Sequence, residues 1–148
     1  MSPSIWSVSD GGNGHSYQVI TVPWGFTRED AEKAAKKSGG YLATITSEAE
    51  NYFIYKLICK NKDLWVIDGS GNGSGPWIGG YKKEGTWKWV TEEKFKYSSW
   101  ASGEPNNYKG TEDAMCFYRP GMKDKPFWND ISKDTVLPAC IVEFDKPK

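Results

Sequence analysis

The helix signals of this chain all fall before Asn61, and from Gly85 onward its residues read as short strands separated by loops. Thr27-Arg28-Glu29-Asp30 opens like a capping box, with Thr27 as the N-cap and Asp30 three residues on. Ala31, Ala34 and Ala35 then recur at helical spacing until Gly39-Gly40 stops the run. This predicts a helix over 27–38. Ser47, with Glu50 three residues later, caps a second helix whose apolar residues are Tyr52, Phe53, Tyr55, Leu57 and Ile58, with its end expected near Cys59-Lys60-Asn61. Tyr41 to Ile45, Trp77 to Tyr81, Thr86 to Val90, Ala114 to Tyr118 and Ala139 to Phe144 read as strands. Helices early and short strands with long loops later imply an α+β domain. At 148 residues there is room for one core, so residues 1–148 are taken as a single domain.

Other classes can be set aside on charge and spacing. Lys plus Arg equals Asp plus Glu at 19 each, which leaves no long-range field to favour nucleic acid or an anionic membrane surface. No stretch approaches the roughly 20 apolar residues of a membrane span, so no membrane insertion is expected. Met1-Ser-Pro-Ser-Ile-Trp lacks the basic start and apolar run of a secretory signal, as in a cytosolic chain or a mature one whose signal has been removed. The run Asp68 to Pro76 is rich enough in glycine to read as loop, and it cannot cradle phosphate: no Gly-Lys-Ser/Thr follows it, and the next element reads as a strand. Asn72-Gly73-Ser74 fits the N-glycosylation sequon, which matters only in a secreted eukaryotic chain. Cys59, Cys116 and Cys140 match no zinc spacing and allow one disulfide at most. Cys116 with Cys140 is the candidate pair, and buried free thiols are the alternative.

What remains is chemistry in the long loop. Tyr97 to Asp113 is mostly turn formers, long for a compact domain, and it carries Glu104, Asn106, Asn107, Glu112 and Asp113; Asn129 and Asp130 follow later. These oxygens are hard ligands of the kind calcium takes six to eight of, although turn chemistry also enriches loops in Asp and Asn. Pro105 sharpens the reading, because a cis bond before it would turn Glu104 and Asn106 to one side. Trp128 offers a bulky anchor that would hold Asn129 and Asp130 against the core.

Trp77-Ile78-Gly79, Glu104-Pro105-Asn106, Trp128-Asn129-Asp130 and Ile141-Val142-Glu143 together resemble the C-type lectin-like domain in order and spacing, over about residues 17–144. The resemblance implies a C-type lectin-like fold, with two helices flanking small antiparallel sheets and a long calcium-binding loop region. It implies Ca2+ held by Glu104, Asn106, Glu112, Asn129 and Asp130, with two vicinal sugar hydroxyls on the ion and hydrogen-bonded to the same side chains. Glu-Pro-Asn resembles the mannose-type class, which takes equatorial 3- and 4-hydroxyls (mannose, glucose, N-acetylglucosamine, or the equivalent pair of fucose). Tyr108 and Ile131 resemble positions that touch the sugar, with loop packing as their plainer role. The partners implied are mannose-type glycans or glycoconjugates, met by an oligomer for avidity and on a secreted or cell-surface protein, with the cytosol as the alternative.

The chain also departs from the family. Ala35, Ala114, Lys133 and Val142 stand where vertebrate members carry framework cysteines, and Lys82 and Asn107 stand where acids would serve a second calcium site. An enzyme reading would make Glu104 and Glu112 the two carboxylates of a glycosidase, but calcium would occupy both. The single histidine, His15, has no evident nucleophile partner and reads as a surface or strand residue. The rival from a different class is a protein-interaction or ice-binding domain on the same fold.

Overall fold

The structure, a computed structural model, describes residues 2–146. Helix α1 (Arg28–Lys37) starts where the capping pattern sets it: Asp30 N–H donates to Thr27 Oγ1 at 3.2 Å and Thr27 N–H to Asp30 Oδ2 at 3.4 Å. Helix α2 (Glu48–Lys56) starts where Glu50 N–H donates to Ser47 Oγ at 3.1 Å. Here the box is half used. The Glu50 side chain turns inward instead, accepting from Tyr17 Oη and, at 2.9 Å, from Thr46 N–H. The helix also ends earlier than the apolar pattern predicts. Leu57 and Ile58 tighten into i→i+3 bonds to Ile54 and Tyr55, and the Ile58 carbonyl accepts the Trp65 indole N–H at 3.1 Å instead of continuing the ladder.

The strands are β1 (Ser4–Ile5), β2 (Ser16–Phe26), β3 (Tyr41–Leu42), β4 (Val66–Ile67), β5 (Gly73–Lys83), β6 (Thr86–Trp89), β7 (Ala114–Arg119), β8 (Phe127–Ile131) and β9 (Leu137–Phe144). They form one sheet in the order β1-β2-β9-β5-β7-β8, with β3 on β9 and both β4 and β6 on β5. The expected small antiparallel sheets are therefore joined. The joint is a parallel pairing of Trp77 on β5 with Cys140 on β9, while the other pairings are antiparallel. One apolar cluster, including Tyr17, Ile54, Trp89, Phe117 and Trp128, lies under α2. Another, including Ala31, Ala35, Trp77, Leu137 and Val142, lies under α1.

The glycine-rich run is a loop only as far as Asn72; Gly73 to Pro76 belong to β5. Glycine is needed there because a Cβ on Gly75 would stand 2.5 Å from the Trp65 ring. Further along β5, Gly79 donates to the Ala43 carbonyl at 2.8 Å, and its own Cβ would meet the Leu42 carbonyl oxygen at 2.5 Å. This close approach ties β5 to the chain leaving β3.

The Cys116–Cys140 pair does not form: all three cysteines are free, with Cys116 and Cys140 buried. Trp77 pairs with Cys116 on one side and with Cys140 on the other, so β5 runs between them. Two strand spacings amount to roughly 9.5 Å, beyond the roughly 7 Å Cα separation a disulfide tolerates. Three thiols should therefore titrate on denatured, unreduced protein, and reductant should leave the melting temperature unchanged. A count of one thiol would contradict this strand order.

Glu143 of β9 is 2% exposed, accepting Thr44 N–H at 3.0 Å on Oε1 and meeting His15 Nδ1 at 2.6 Å on Oε2. Burial, then the nearby Glu50 carboxylate, push its pKa up to about 7, with His15 and the Thr44 N–H opposing. In the unfolded chain a Glu ionises near ~4.3. Between those values the native state holds the extra proton, so stability falls as pH rises from about 4.5 through about 7. In urea titrations at pH 5 and pH 8, Glu143→Gln should lose less stability on the alkaline side than the parent. Equal losses would refute the assignment.

Candidate functional site

The long loop leaves the fold after β6 and is recaptured by β8. Trp128 N–H donates to the Ser99 carbonyl at 2.9 Å, and Ala101 N–H donates to the Trp128 carbonyl at 3.0 Å. The Trp128 ring is wholly buried and meets Trp89, Tyr97 and Trp100 edge-on, with centroids 5.5, 5.7 and 6.0 Å away. Its indole N–H donates to Asn51 Oδ1 at 3.0 Å, and the Asn51 amide in turn donates to the Pro126 carbonyl at 2.9 Å and Tyr97 Oη at 3.2 Å. Strand alternation then buries Asp130 on the same face as Trp128 and leaves Asn129 and Ile131 half-buried.

Asp130 is the hub. Fully buried, it accepts Asn106 N–H at 3.2 Å on Oδ1 and Asn107 N–H at 2.7 Å on Oδ2, tying the tip of the loop to β8. The Glu104–Pro105 bond is cis. Beyond it Asn107 takes up left-handed geometry (φ 48°), and Tyr108 N–H reaches both Asn106 Oδ1 at 3.2 Å and Glu112 Oε1 at 2.9 Å. Glu112 N–H returns to Asn107 Oδ1 at 3.2 Å. Glu104, Asn106, Glu112 and Asp130 are thus drawn together around one turn, with Asn129 adjacent on β8.

The electrostatics of this cluster point the same way. Burial, then the neighbouring Asp130 carboxylate and Glu112, push Glu104 up to about 7, against the Asn106 N–H. Burial also raises Glu112, with Asp130 adding to the shift and the Tyr108 N–H and Lys82 opposing it. Two buried oxygens, Glu104 Oε1 and Asn129 Oδ1, have no hydrogen-bond partner among the described residues. A buried acceptor left unpaired is uncommon and costs about 1–3 kcal/mol. A hard cation takes oxygens of this kind, so the donor set fits calcium. Among the described residues no three His, Cys, Asp or Glu side chains alone make a metal centre, and the set depends on its amide oxygens.

Of the two positions expected beside the ligands, Tyr108 is 62% exposed at the loop tip, with Lys109 Nζ 5.4 Å from its ring centroid. Ile131 is half-buried and packs partly against the α1-side cluster. One organising residue, Asn51, has no signal in the sequence: it lies on a helix distant in sequence, and only its tertiary contacts separate it from its neighbours. Asn107, one of the loop's hard oxygens, serves the loop itself, with its N–H on Asp130 and its Oδ1 on Glu112 N–H.

The Lectin C-type domain family model matches residues 26–140, and the chain belongs to that family. A perlucin-like protein of Mytilus galloprovincialis is 34% identical over 116 residues, covering 76% of this chain and 67% of its own. Ladderlectin of Oncorhynchus mykiss is 30% identical over 115 residues, covering 76% of this chain, which spans only 55% of that protein's length. Among solved structures, the cow CD23 carbohydrate-recognition domain, determined in the presence of a GlcNAc2Man3 oligosaccharide, superposes with TM-score 0.66 at 23% identity over 88% of this chain and 87% of its own. A calcium-independent type II antifreeze protein superposes with TM-score 0.64 at 23% identity over 88% and 85%. At such identity the structures attest the fold. Family membership sets the chain among lectin domains and not among glycosidases. No described helix is long and apolar enough to cross a membrane.

Because Asp130 accepts two backbone N–H groups, Asp130→Asn sets an amide NH2 against a donor and should cost about 1–3 kcal/mol. Urea unfolding in chelator, where no ion contributes, is the check. Unchanged stability there would remove Asp130 as the hub.

Proposed function

We infer that the chain is a calcium-dependent lectin for mannose-type sugars, with Ca2+ held by Glu104, Asn106, Glu112, Asn129 and Asp130. The observation that carries this reading is the pair of unpartnered buried oxygens, Glu104 Oε1 and Asn129 Oδ1, on two segments that Asp130 ties together. When bound, calcium supplies a Lewis-acidic centre to which two vicinal sugar hydroxyls can give a lone pair each. The protein's own groups read the rest of each hydroxyl. Glu104 and Glu112 accept hydroxyl protons, while the Asn106 and Asn129 amides donate to the remaining lone pairs. Asp130 gives one lone pair of each oxygen to the loop backbone, which keeps the set in register, and has a second on each for the ion. Tyr108 stands exposed at the rim, where it can pack against the sugar.

Selectivity follows from orientation. Equatorial 3- and 4-hydroxyls, as in mannose, glucose and N-acetylglucosamine, or the equivalent pair of fucose, can meet both carboxylates in one pose. The axial 4-hydroxyl of galactose cannot, and it leaves desolvated polar groups at about 1–3 kcal/mol each. An open site with few contacts gives weak single-site binding, so several copies would raise avidity on a multivalent glycan. Such glycans place the protein outside the cell or on its surface.

Immobilised mannose should retain the protein in millimolar calcium and release it with chelator, and free mannose should elute it at lower concentration than galactose. Glu104→Gln with Asn106→Asp exchanges donor and acceptor at constant charge and should shift the preference towards galactose. Calcium at a hundred times its Kd should stabilise the fold by about 2.7 kcal/mol. Identical melts in calcium and chelator, with retention indifferent to both, would sink the reading and leave a calcium-independent member of the fold.

A further inference from the structure

The far end of the long loop is closed by a lysine. Lys82, near the end of β5, is only 15% exposed, unusual for a side chain that ordinarily keeps its ammonium in water. Its Nζ lies 3.5 Å from Asp113 Oδ1 and 5.8 Å from the centroid of the Trp87 ring, and its backbone N–H donates to the Asp113 carbonyl at 2.9 Å. Asp113 is therefore gripped twice by one residue, at main chain and side chain, immediately after Glu112. The Trp87 ring that flanks the ammonium packs on Trp100, centroids 4.9 Å apart, at the loop's other end. One cation thus holds one end of the loop that carries Glu104, Asn106 and Glu112 directly, at Asp113, and backs its other end only through the Trp87 ring on Trp100.

We propose that Lys82 is a positioning residue whose ammonium closes the base of the loop and presents Glu112 before any ligand arrives. The inference rests on the calcium-lectin reading for its ligand, though not for its effect on the loop. Asp113 is 57% exposed, so left alone the pair would be worth little. Its strength comes from the main-chain bond and the ring that pre-order the lysine, which reduces the entropy lost when the ion pair forms. The usual electrostatic expectation has the opposite sign: a positive charge close to a cation site should repel the cation, and removing it should tighten binding.

Those signs make the test. Lys82→Met keeps the stem on Trp87 and deletes the charge; Lys82→Arg keeps the charge; Asp113→Asn removes the partner from an exposed position and serves if Lys82→Met does not fold. In chelator, hydrogen exchange of the Tyr108 and Glu112 amides should quicken in Lys82→Met and Asp113→Asn, with the global melting temperature little changed, and Lys82→Arg should restore slow exchange. By calorimetry, calcium should bind Lys82→Met about tenfold more weakly, as when the binding-competent loop is populated only about a tenth of the time. Unaltered exchange, or tighter calcium binding in Lys82→Met, would overturn the proposal. If the parent chain binds no calcium at all, the lectin reading fails, and the exchange measurement still decides the role of Lys82.

Discussion

The Trp128 indole, buried and hydrogen-bonded to Asn51, is the contact on which the rest of the binding face depends. Through its main chain it holds Ser99 and Ala101; through its ring it packs the aromatics of β6 and the loop; and strand alternation then delivers Asp130. Large aromatic area combined with one satisfied polar tip gives an anchor that neither slides nor swells. Asp130 could not stay buried without it. A carboxylate out of water is tolerable only when it is hydrogen-bonded, and the backbone N–H groups of Asn106 and Asn107 each take one lone pair, one on each oxygen, which leaves a second on each.

The absence of the family's framework disulfides changes what has to carry this load. The resemblance sets Ala35, Ala114, Lys133 and Val142 where vertebrate members carry framework cysteines, and the three cysteines present are unpaired. In their place the structure has dense aromatic packing around Trp128 and a polar network running from buried Glu50 through buried Tyr17 out to exposed Asn13. The parallel contact of β5 with β9 joins the two halves without a covalent tie. The family shape is thus kept by interactions that form only in the folded state, whereas a disulfide also constrains the unfolded chain.

A tension is built into the site. Glu104, Glu112 and Asp130 crowd negative charge at half-buried and buried positions, and both Glu104 and Glu112 respond by holding protons more tightly than a carboxyl in water. Two acceptors go unpartnered as well. Such an arrangement lowers stability, and it is what a cation site requires, because ligands already satisfied by the protein would have nothing left to offer. Stability and binding draw on the same oxygens.

Both helix starts, the α+β order and the cis bond at Glu104-Pro105 were legible in the sequence, because capping and cis-prone proline chemistry act over three or four neighbouring residues. Thr27 with Asp30, Ser47 with Glu50, and Glu104-Pro105 each do in the fold what local chemistry sets. The long strand β2 and strand β8 were not legible, nor the strand character of Gly73 to Pro76, since their partners lie far along the chain. Glu50 was read as a cap and Cys116 as a possible partner of Cys140; Tyr17 draws the first into the core, and β5 separates the second from its mate. Asn51 and Lys82 became organisers only when folding brought Trp128 and Asp113 to them. Residue type and spacing determine which chemistry a segment can offer, while strand order decides which offers meet, because a sheet is held by pairings between residues that the chain itself keeps far apart.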